Sequence, residues 1–440
     1  MISLTIQRKS FGACCEEEGY GVRFPLFSCI IGIALYRLFL DYIYIACIFP
    51  SYDYMGFDCT SDAFSSLFFS WGMLLVSLLF FAYCFSHQSI GNVILQIIYL
   101  LNFVPATSFV RFMPLPEACI VLHCIFWALL FLFAVVIPRF RRTASFPSSS
   151  LAVHAILFIF LSTVVWVSWK YTGFRLFFNL NSVYTFRLEA REYSLPGVVK
   201  YIIPTAKSCL PLLMVYNIAT RKKIYAAVIC LILLLLFSFD GSKTVIFTTV
   251  LAWFCYFFFT WDKTQYIVWG VTGISFLAVV EQICFSSSNI ANYVVRRMMF
   301  VPQLLVFFYY DFFSENEILF YRDGFLGKIF PSPYNVSSPM LIGEYYMKSA
   351  DCAANAGLFA ESYANWGVFG CVISPLLIIL LLRVFEYCSS GLDFRLLIVP
   401  AISIAVSLCS SALNTLPLTH GFLILCIICL LLPRRFQRNA

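Results

Sequence analysis

In the run Tyr184-Thr-Phe-Arg187-Leu-Glu-Ala-Arg191-Glu192 two arginines stand four residues apart. On a helix that spacing puts them on one face, and their planar guanidinium forks suit bidentate capture of phosphate oxygens. A helix start near Asn179 to Ser182 permits the arrangement. The same spacing also describes a charge-laced surface helix with Glu189 and Glu192 as internal partners, so both readings stand. Arg296 and Arg297 are adjacent, and a regular helix aims only one of two neighbours at a given point. Asp240-Gly-Ser-Lys243 lacks the glycine-rich approach and the strand of a nucleotide loop. Glu315-Asn-Glu317 is the nearest equivalent of an Asp-x-Asp pair, and it reads better as loop polarity than as a cation site. His123, His154 and His420 fall in apolar runs with no convincing nucleophile beside them, so Ser-His-Asp hydrolysis has no support. Cys426 and Cys429 form a C-x-x-C inside an apolar run, which argues against zinc or redox chemistry. Cys59 and Cys352 fall in candidate external loops, where pairing is open to them.

These residues must be positioned by an unusual chain. Of 440 residues, 61% are hydrophobic, 19% aromatic and 12% charged, where a soluble domain spends about a quarter of its residues on charge. Spans of about 20 apolar residues recur along the length, and about twelve would occupy roughly 240 residues. Unbroken apolar runs such as Ala226 to Phe239 exclude the alternation of a barrel, so the spans are helices. The expected fold is an all-α, polytopic integral membrane protein with about twelve transmembrane helices. The formal charge of +7 can be spent on topology without implying an anionic partner. Met1 to Tyr20 is polar and a full-length span follows, so no cleavable signal peptide is expected.

The expected spans are Phe24–Phe49, Ser65–Phe85, Ile90–Val104, Ala118–Ile137, Leu151–Trp169, Val199–Ile218, a seventh ending at Phe239, Val245–Phe259, Ile267–Cys284, Trp366–Leu382, Leu396–Leu413 and Leu418–Leu432. Arg37 and Asp41 share one face of the first and can neutralise each other. Pro204 and Pro211 predict a kink in the sixth. With a cytoplasmic N-terminus, the clusters at Arg8-Lys9, Arg139 to Arg142, Arg221 to Lys223 and Arg434 to Arg438 all fall inside. Two enlarged connections, 170–198 and 286–365, then face outward and carry Arg175, Arg187, Arg191, Arg296, Arg297, Arg322, Lys328 and Lys348, with Lys200 at the adjoining span start. Ligand binding by some of these cations and ordinary solvation are both compatible with that load.

The segment Asn355-Ala-Gly-Leu-Phe-Ala-Glu361-Ser-Tyr363-Ala-Asn365-Trp-Gly367-Val-Phe-Gly370 resembles one found just before a late span in bacterial O-antigen and capsule repeat-unit polymerases of the Wzy type. The Arg187/Arg191 segment, the Gly241-Ser-Lys243 turn, Arg296-Arg297 and the many spans with two enlarged loops add to the likeness. It covers most of the chain as architecture and about sixteen residues as motif.

The resemblance implies a glycosyltransferase of the bacterial inner membrane with a periplasmic site. It would move a growing glycan from undecaprenyl diphosphate to an incoming lipid-linked repeat unit, with neither nucleotide sugar, cofactor nor metal. Implied partners are undecaprenyl-diphosphate-linked oligosaccharide, membrane lipids, a chain-length regulator and a flippase, and no nucleic acid. Negative charge develops on the departing diphosphate, and preorganised arginines can stabilise it. Arg187, Arg191 and Arg296 are the expected catalytic cations. Arg297, Arg322, Lys243, Tyr363 and Asn365 are the expected substrate contacts. Glu361 is the expected base for the acceptor hydroxyl, although a carboxylate there also suits the N-terminus of the following helix. Gly357, Gly367 and Gly370 would permit close approach of helices or glycan. Tyr345, Tyr346, Tyr363 and Trp366 offer sugar-stacking faces or interfacial anchors. The rival readings are a lipid-linked glycan ligase and a flippase or exporter of the same lipid-linked glycan. A transporter should line a central cavity with charges from several spans.

Overall fold

Lipid solvent leaves no partner for an open backbone, and the chain answers with helix throughout. The computed structural model describes residues 18–59, 63–140, 148–176, 189–190 and 192–434, and no strand occurs among them. Among the described residues nine helices are long and apolar enough to cross a membrane: α1 (Phe24–Met55), α2 (Ser66–Ser86), α3 (Ile90–Phe112), α4 (Glu117–Val136), α5 (Ser150–Thr172), α6 (Val199–Ala219), α7 (Lys223–Asp240), α9 (Trp261–Phe285) and the broken helix Leu358–Ser389. The last divides into α12 (Leu358–Trp366) and α13 (Gly370–Ser389). Three shorter apolar helices, α8 (Lys243–Phe258), α14 (Phe394–Ser410) and α15 (Phe422–Leu431), lie where further spans are expected. The 10 residues of α15 reach only about 15 Å at the helical rise, half of a bilayer core.

α3 is enclosed by its neighbours along nearly its whole length. It buries Asn92, Gln96, Asn102, Thr107 and Ser108 together with its apolar residues. The sequence stops this helix at Val104 because Pro105 lacks an amide proton and clashes with the preceding turn. The structure carries it on to Phe112 by widening the turn Tyr99–Phe103 into a π-helix directly before the proline. Arg111, expected in a link, therefore rides on the helix and reaches Asp41 at 2.5 Å. Asp41 also pairs with Arg37, and Arg37 donates to Thr107 Oγ1 at 2.9 Å and to the Thr107 carbonyl at 2.9 Å. The i,i+4 pair read from the sequence is present, set in a wider buried cluster.

Elsewhere the packing follows the same logic of pairing polar groups inside and leaving apolar side chains to lipid. α1 lies along α9, where Thr272 Oγ1 donates to the Gly32 carbonyl at 3.1 Å and Trp269 Nε1 to Ser28 Oγ at 3.0 Å. Leu75, Val76 and Leu79 on α2 and Phe254 and Phe257 on α8 remain exposed, as a lipid-facing belt requires. Arg383, buried within α13, pairs with Glu386 at 2.8 Å and closes the end of α4 through the Ala134 and Ile137 carbonyls at 2.6 and 3.2 Å. Pro204 and Pro211 both lie inside the continuous α6. No disulfide joins Cys59 to Cys352, whose Sγ sits 3.3 Å from Met347 Sδ.

The connection after α9 is largely helical. A π-helical segment, Ala291–Phe300, runs directly into α10 (Val301–Glu315), and α11 (Ser338–Met347) follows. α10 buries Leu304, Leu305, Phe308, Tyr309, Phe312 and Phe313, so this segment forms a packed layer on the bundle. Gly357 seats the next turn against α14, since a Cβ there would lie 2.0 Å from the Leu408 carbonyl oxygen. A Cβ on Gly370 would lie 2.2 Å from the Ser362 carbonyl oxygen. Neither obstacle is a flexible side chain, so Gly357→Ala is expected to destabilise by about 1–3 kcal/mol. A thermal melt of the purified variant checks this, and an unchanged midpoint would mean that α12 and α14 are not so tightly apposed.

Candidate functional site

The residues around Glu361 are joined through main-chain hydrogen bonds. Glu361 lies in the first turn of α12, where its charge suits the helix dipole, and is 4% exposed. Asn365, one turn later on the same face, donates through Nδ2 to the Glu361 carbonyl at 3.0 Å and to Glu361 Oε1 at 3.1 Å. Its Oδ1 accepts the Tyr321 amide at 2.8 Å. The Leu319 and Phe320 amides donate to the Ala364 and Asn365 carbonyls at 2.8 and 3.1 Å. Segment 319–321 is thereby stapled to the end of α12.

The Tyr321 hydroxyl hydrogen-bonds the Glu361 carboxyl, and burial, reinforced by the negative charge of Glu361, raises the Tyr321 phenol above its ordinary pKa. Phe320, Tyr321 and Leu358 hold φ of 50°, 58° and 48°, a left-handed conformation that non-glycine residues adopt at a cost. The gap beside Glu361, bounded by Leu358, Ser362, Leu408, Ser411 and Leu413, does not admit a water. Glu361 is thus shut away from any sugar in this conformation.

The other expected residues are distributed more widely. Arg322 spends its guanidinium on Glu317 at 2.6 Å and on the Leu319 and Ile318 carbonyls at 3.0 and 2.9 Å. Glu317 of the Glu315-Asn-Glu317 pair is thereby occupied, and no cluster of metal-binding side chains occurs among the described residues. Tyr363 is buried and its ring lies 5.0 Å from that of Tyr310 and 5.8 Å from that of Phe359. Tyr346 stacks on Phe308 at 4.3 Å and donates its hydroxyl to Asp311 at 2.5 Å, whereas Tyr345 is exposed. Burial and Asp311 push the Tyr346 phenol above its usual range. Arg296 turns inward and stacks on Tyr52 at 4.0 Å, with no carboxylate partner among the described residues, while Arg297 is exposed. The divergence of adjacent arginines is as the sequence indicates. No hydrogen bond or ion pair joins Arg296 or Lys243 to Glu361 among the described residues. Arg187 and Arg191 lie outside the described residues.

A second locus, open and lined by both apolar and charged side chains, lies at the start of α6 and the end of α7. It is a cavity of about 490 Å³ lined in part by Lys200, Lys207, Asp240 and Ser242, with Ala190 and Leu195 at its edge. Gly241, at φ +63°, ends α7 in a left-handed turn. The turn lets the Ser242 amide return to Asp240 Oδ1 at 3.1 Å. Lys207 pairs with the other carboxylate oxygen, Oδ2. Lys243 follows at the start of α8. Tyr193 packs its ring 5.4 Å from that of Phe239 and 5.0 Å from that of Tyr171, so the described end of the arginine-bearing segment is anchored beside this cavity. Glu189 pairs with Arg175 at 2.5 Å. The sequence placed Lys207 inside a span and Asp240 at a turn, and periodicity carried no signal that two residues 33 apart would meet.

The chain matches no family model, no characterised protein and no solved structure at a significant level.

Proposed function

We propose that this chain is a repeat-unit polymerase of bacterial O-antigen or capsule, a glycosyltransferase of the inner membrane. Its donor is a glycan on undecaprenyl diphosphate, its acceptor the nonreducing end of a lipid-linked repeat unit, and its site faces the periplasm across about twelve spans. The observation that carries the reading is the open cavity with Lys200 and Lys207 among its lining residues. A diphosphate leaving group needs fixed positive charge as it departs, and lysine ammonium groups at the edge of an apolar bundle supply it. Arg296, inward-facing and without a carboxylate partner among the described residues, is a further cation for the same task. Glu361 and Asn365 hold the stapled segment 319–321 against the bundle. Against the flippase reading, Arg37 with Asp41 and Arg383 with Glu386 pair within the bundle, and Lys207 with Asp240 on the cavity wall is less charge than a polar passage lined from several spans needs.

The test uses the full chain in nanodiscs with a synthetic undecaprenyl-diphosphate repeat unit, with and without chelator, read as a glycan ladder. The expected result is a ladder that survives chelation. Arg187, Arg191 and Arg296 changed together to alanine should lower the rate by at least about 10²-fold, the scale of one lost transition-state donor, with the protein still folded. No ladder from folded protein with the correct repeat unit would turn the reading toward the ligase or the flippase, and a leaflet-accessibility assay would separate those two.

A further inference from the structure

We infer that Asp240 is the general base of the glycosyl transfer proposed above, with Lys207 as its positioning partner. The inference rests on the polymerase reading and changes one part of it, since the sequence assigns the base to Glu361.

The argument begins with access. A base must come within hydrogen-bond reach of the hydroxyl it deprotonates, and Glu361 is closed in by Leu358, Ser362 and the end of α14 with no space for water. Several other carboxylates of the same half of the chain are engaged in holding the fold. Asp323 caps α11 through the Ser338 amide at 3.0 Å and hydroxyl at 2.7 Å. Asp311 accepts the Tyr346 hydroxyl. Glu317 holds Arg322. Glu281 collects the Ser287 hydroxyl and the Asn289 and Ile290 amides at 2.9, 3.2 and 2.7 Å. Asp240 differs in lining a cavity of about 490 Å³, large enough for a sugar ring. Its side chain is 25% exposed and that of Lys207 19%.

The chemistry follows from what surrounds it. Oδ1 is oriented by the Ser242 amide and Oδ2 by Lys207, so the carboxylate is held in one attitude. Lys200 stands on the same wall. When a diphosphate enters, its oxygens compete with Asp240 for the Lys207 ammonium, which leaves an Asp240 oxygen able to accept the hydrogen bond of the acceptor hydroxyl. The acceptor hydroxyl then gives its proton to an Asp240 oxygen as its own oxygen bonds to the anomeric carbon of the donor. The bond from that carbon to the diphosphate oxygen breaks, and its electron pair leaves with the diphosphate beside Lys207 and Lys200. The proton on Asp240 passes to water when the lipid diphosphate departs. One displacement inverts the anomeric carbon.

The experiment compares wild type, Asp240→Asn, Lys207→Met and the double variant in the ladder assay, each normalised to folded, monodisperse protein in nanodiscs. Asp240→Asn is expected to slow polymerisation by about 10²–10⁴-fold, the usual worth of a positioned base. The double variant is expected to be no faster than Asp240→Asn, and recovery of turnover on removing both charges would mean that Asp240 only neutralises Lys207. Its uncharged pair also keeps the test usable if Asp240→Asn alone does not fold. Formate added to Asp240→Gly should recover part of the rate, and the recovery should vary with the basicity of the added carboxylate, which an anion that merely neutralises Lys207 would not show. Wild-type turnover in Asp240→Asn overturns the inference and leaves the polymerase reading standing, whereas wild-type turnover in the double variant also removes Lys207 from the leaving-group role. No ladder from wild type removes both.

Discussion

Asp41→Ala is expected to cost the folded protein about 3–5 kcal/mol, the range for stranding a buried charge by removing its partner. Asp41 faces two guanidinium groups, those of Arg37 and Arg111. Arg37 is wholly buried, and its remaining contacts, Thr107 and Ser70 Oγ at 3.2 Å, are neutral. Without the carboxylate, two cations share one low-dielectric site and repel. The readout is the thermal midpoint of the purified protein, with expression as a second measure. Asp41→Asn keeps the shape and a hydrogen-bonding oxygen for Ser108 and should fall between alanine and wild type. A wild-type melt for Asp41→Ala would mean that water reaches the cluster and shields it.

Asn365→Ala is expected to cost about 1–3 kcal/mol for the buried group left without a partner. The Tyr321 amide is the group left without its acceptor, and Glu361 Oε1 loses one of its donors. The amide of Asn365 therefore joins segment 319–321, with its left-handed residues, to the helix that carries Glu361. Stability and polymer yield should fall together, and limited proteolysis should cut between α10 and α11 sooner than in wild type. Protease resistance equal to wild type would show that the main-chain bonds from Leu319 and Phe320 hold the segment alone.

Much of the bundle is legible from the sequence because lipid solvent imposes one rule on every span. Runs such as Ala226 to Phe239 fall in helices, and the four-residue spacing of Arg37 and Asp41 forecasts their pairing. Gly357 and Gly370 read as points of close approach, and each touches a carbonyl of a neighbouring helix or turn. The helical order of 291–347 was harder to see. Its polar residues are spaced as in a loop, and its helices are held by contacts such as Tyr44 against Phe300 at 5.3 Å, far apart along the chain. Arg111 was placed in a link because Pro105 reads as a stop, and a π-turn has no sequence signature that would cancel it. The open cavity arises from Lys207 and Asp240 meeting across two helices, a tertiary fact that spacing along either helix does not contain.

The seam between α1 and α9 also sets an order of events during synthesis. Thr272 reaches the Gly32 carbonyl across 240 residues of chain, so the first span is made long before its long-term neighbour exists. At roughly 5–20 residues per second the interval is roughly 10–50 s. Through that time α1 holds an arginine at bilayer depth, and its own aspartate one turn away allows it to do so without help from any other helix. The i,i+4 pair is therefore an insertion device as well as a packing one. A ribosome-bound chain that ends before residue 272 should leave Ser28 and Gly32 open to lipid-phase labelling, and the label should be lost once α9 has emerged.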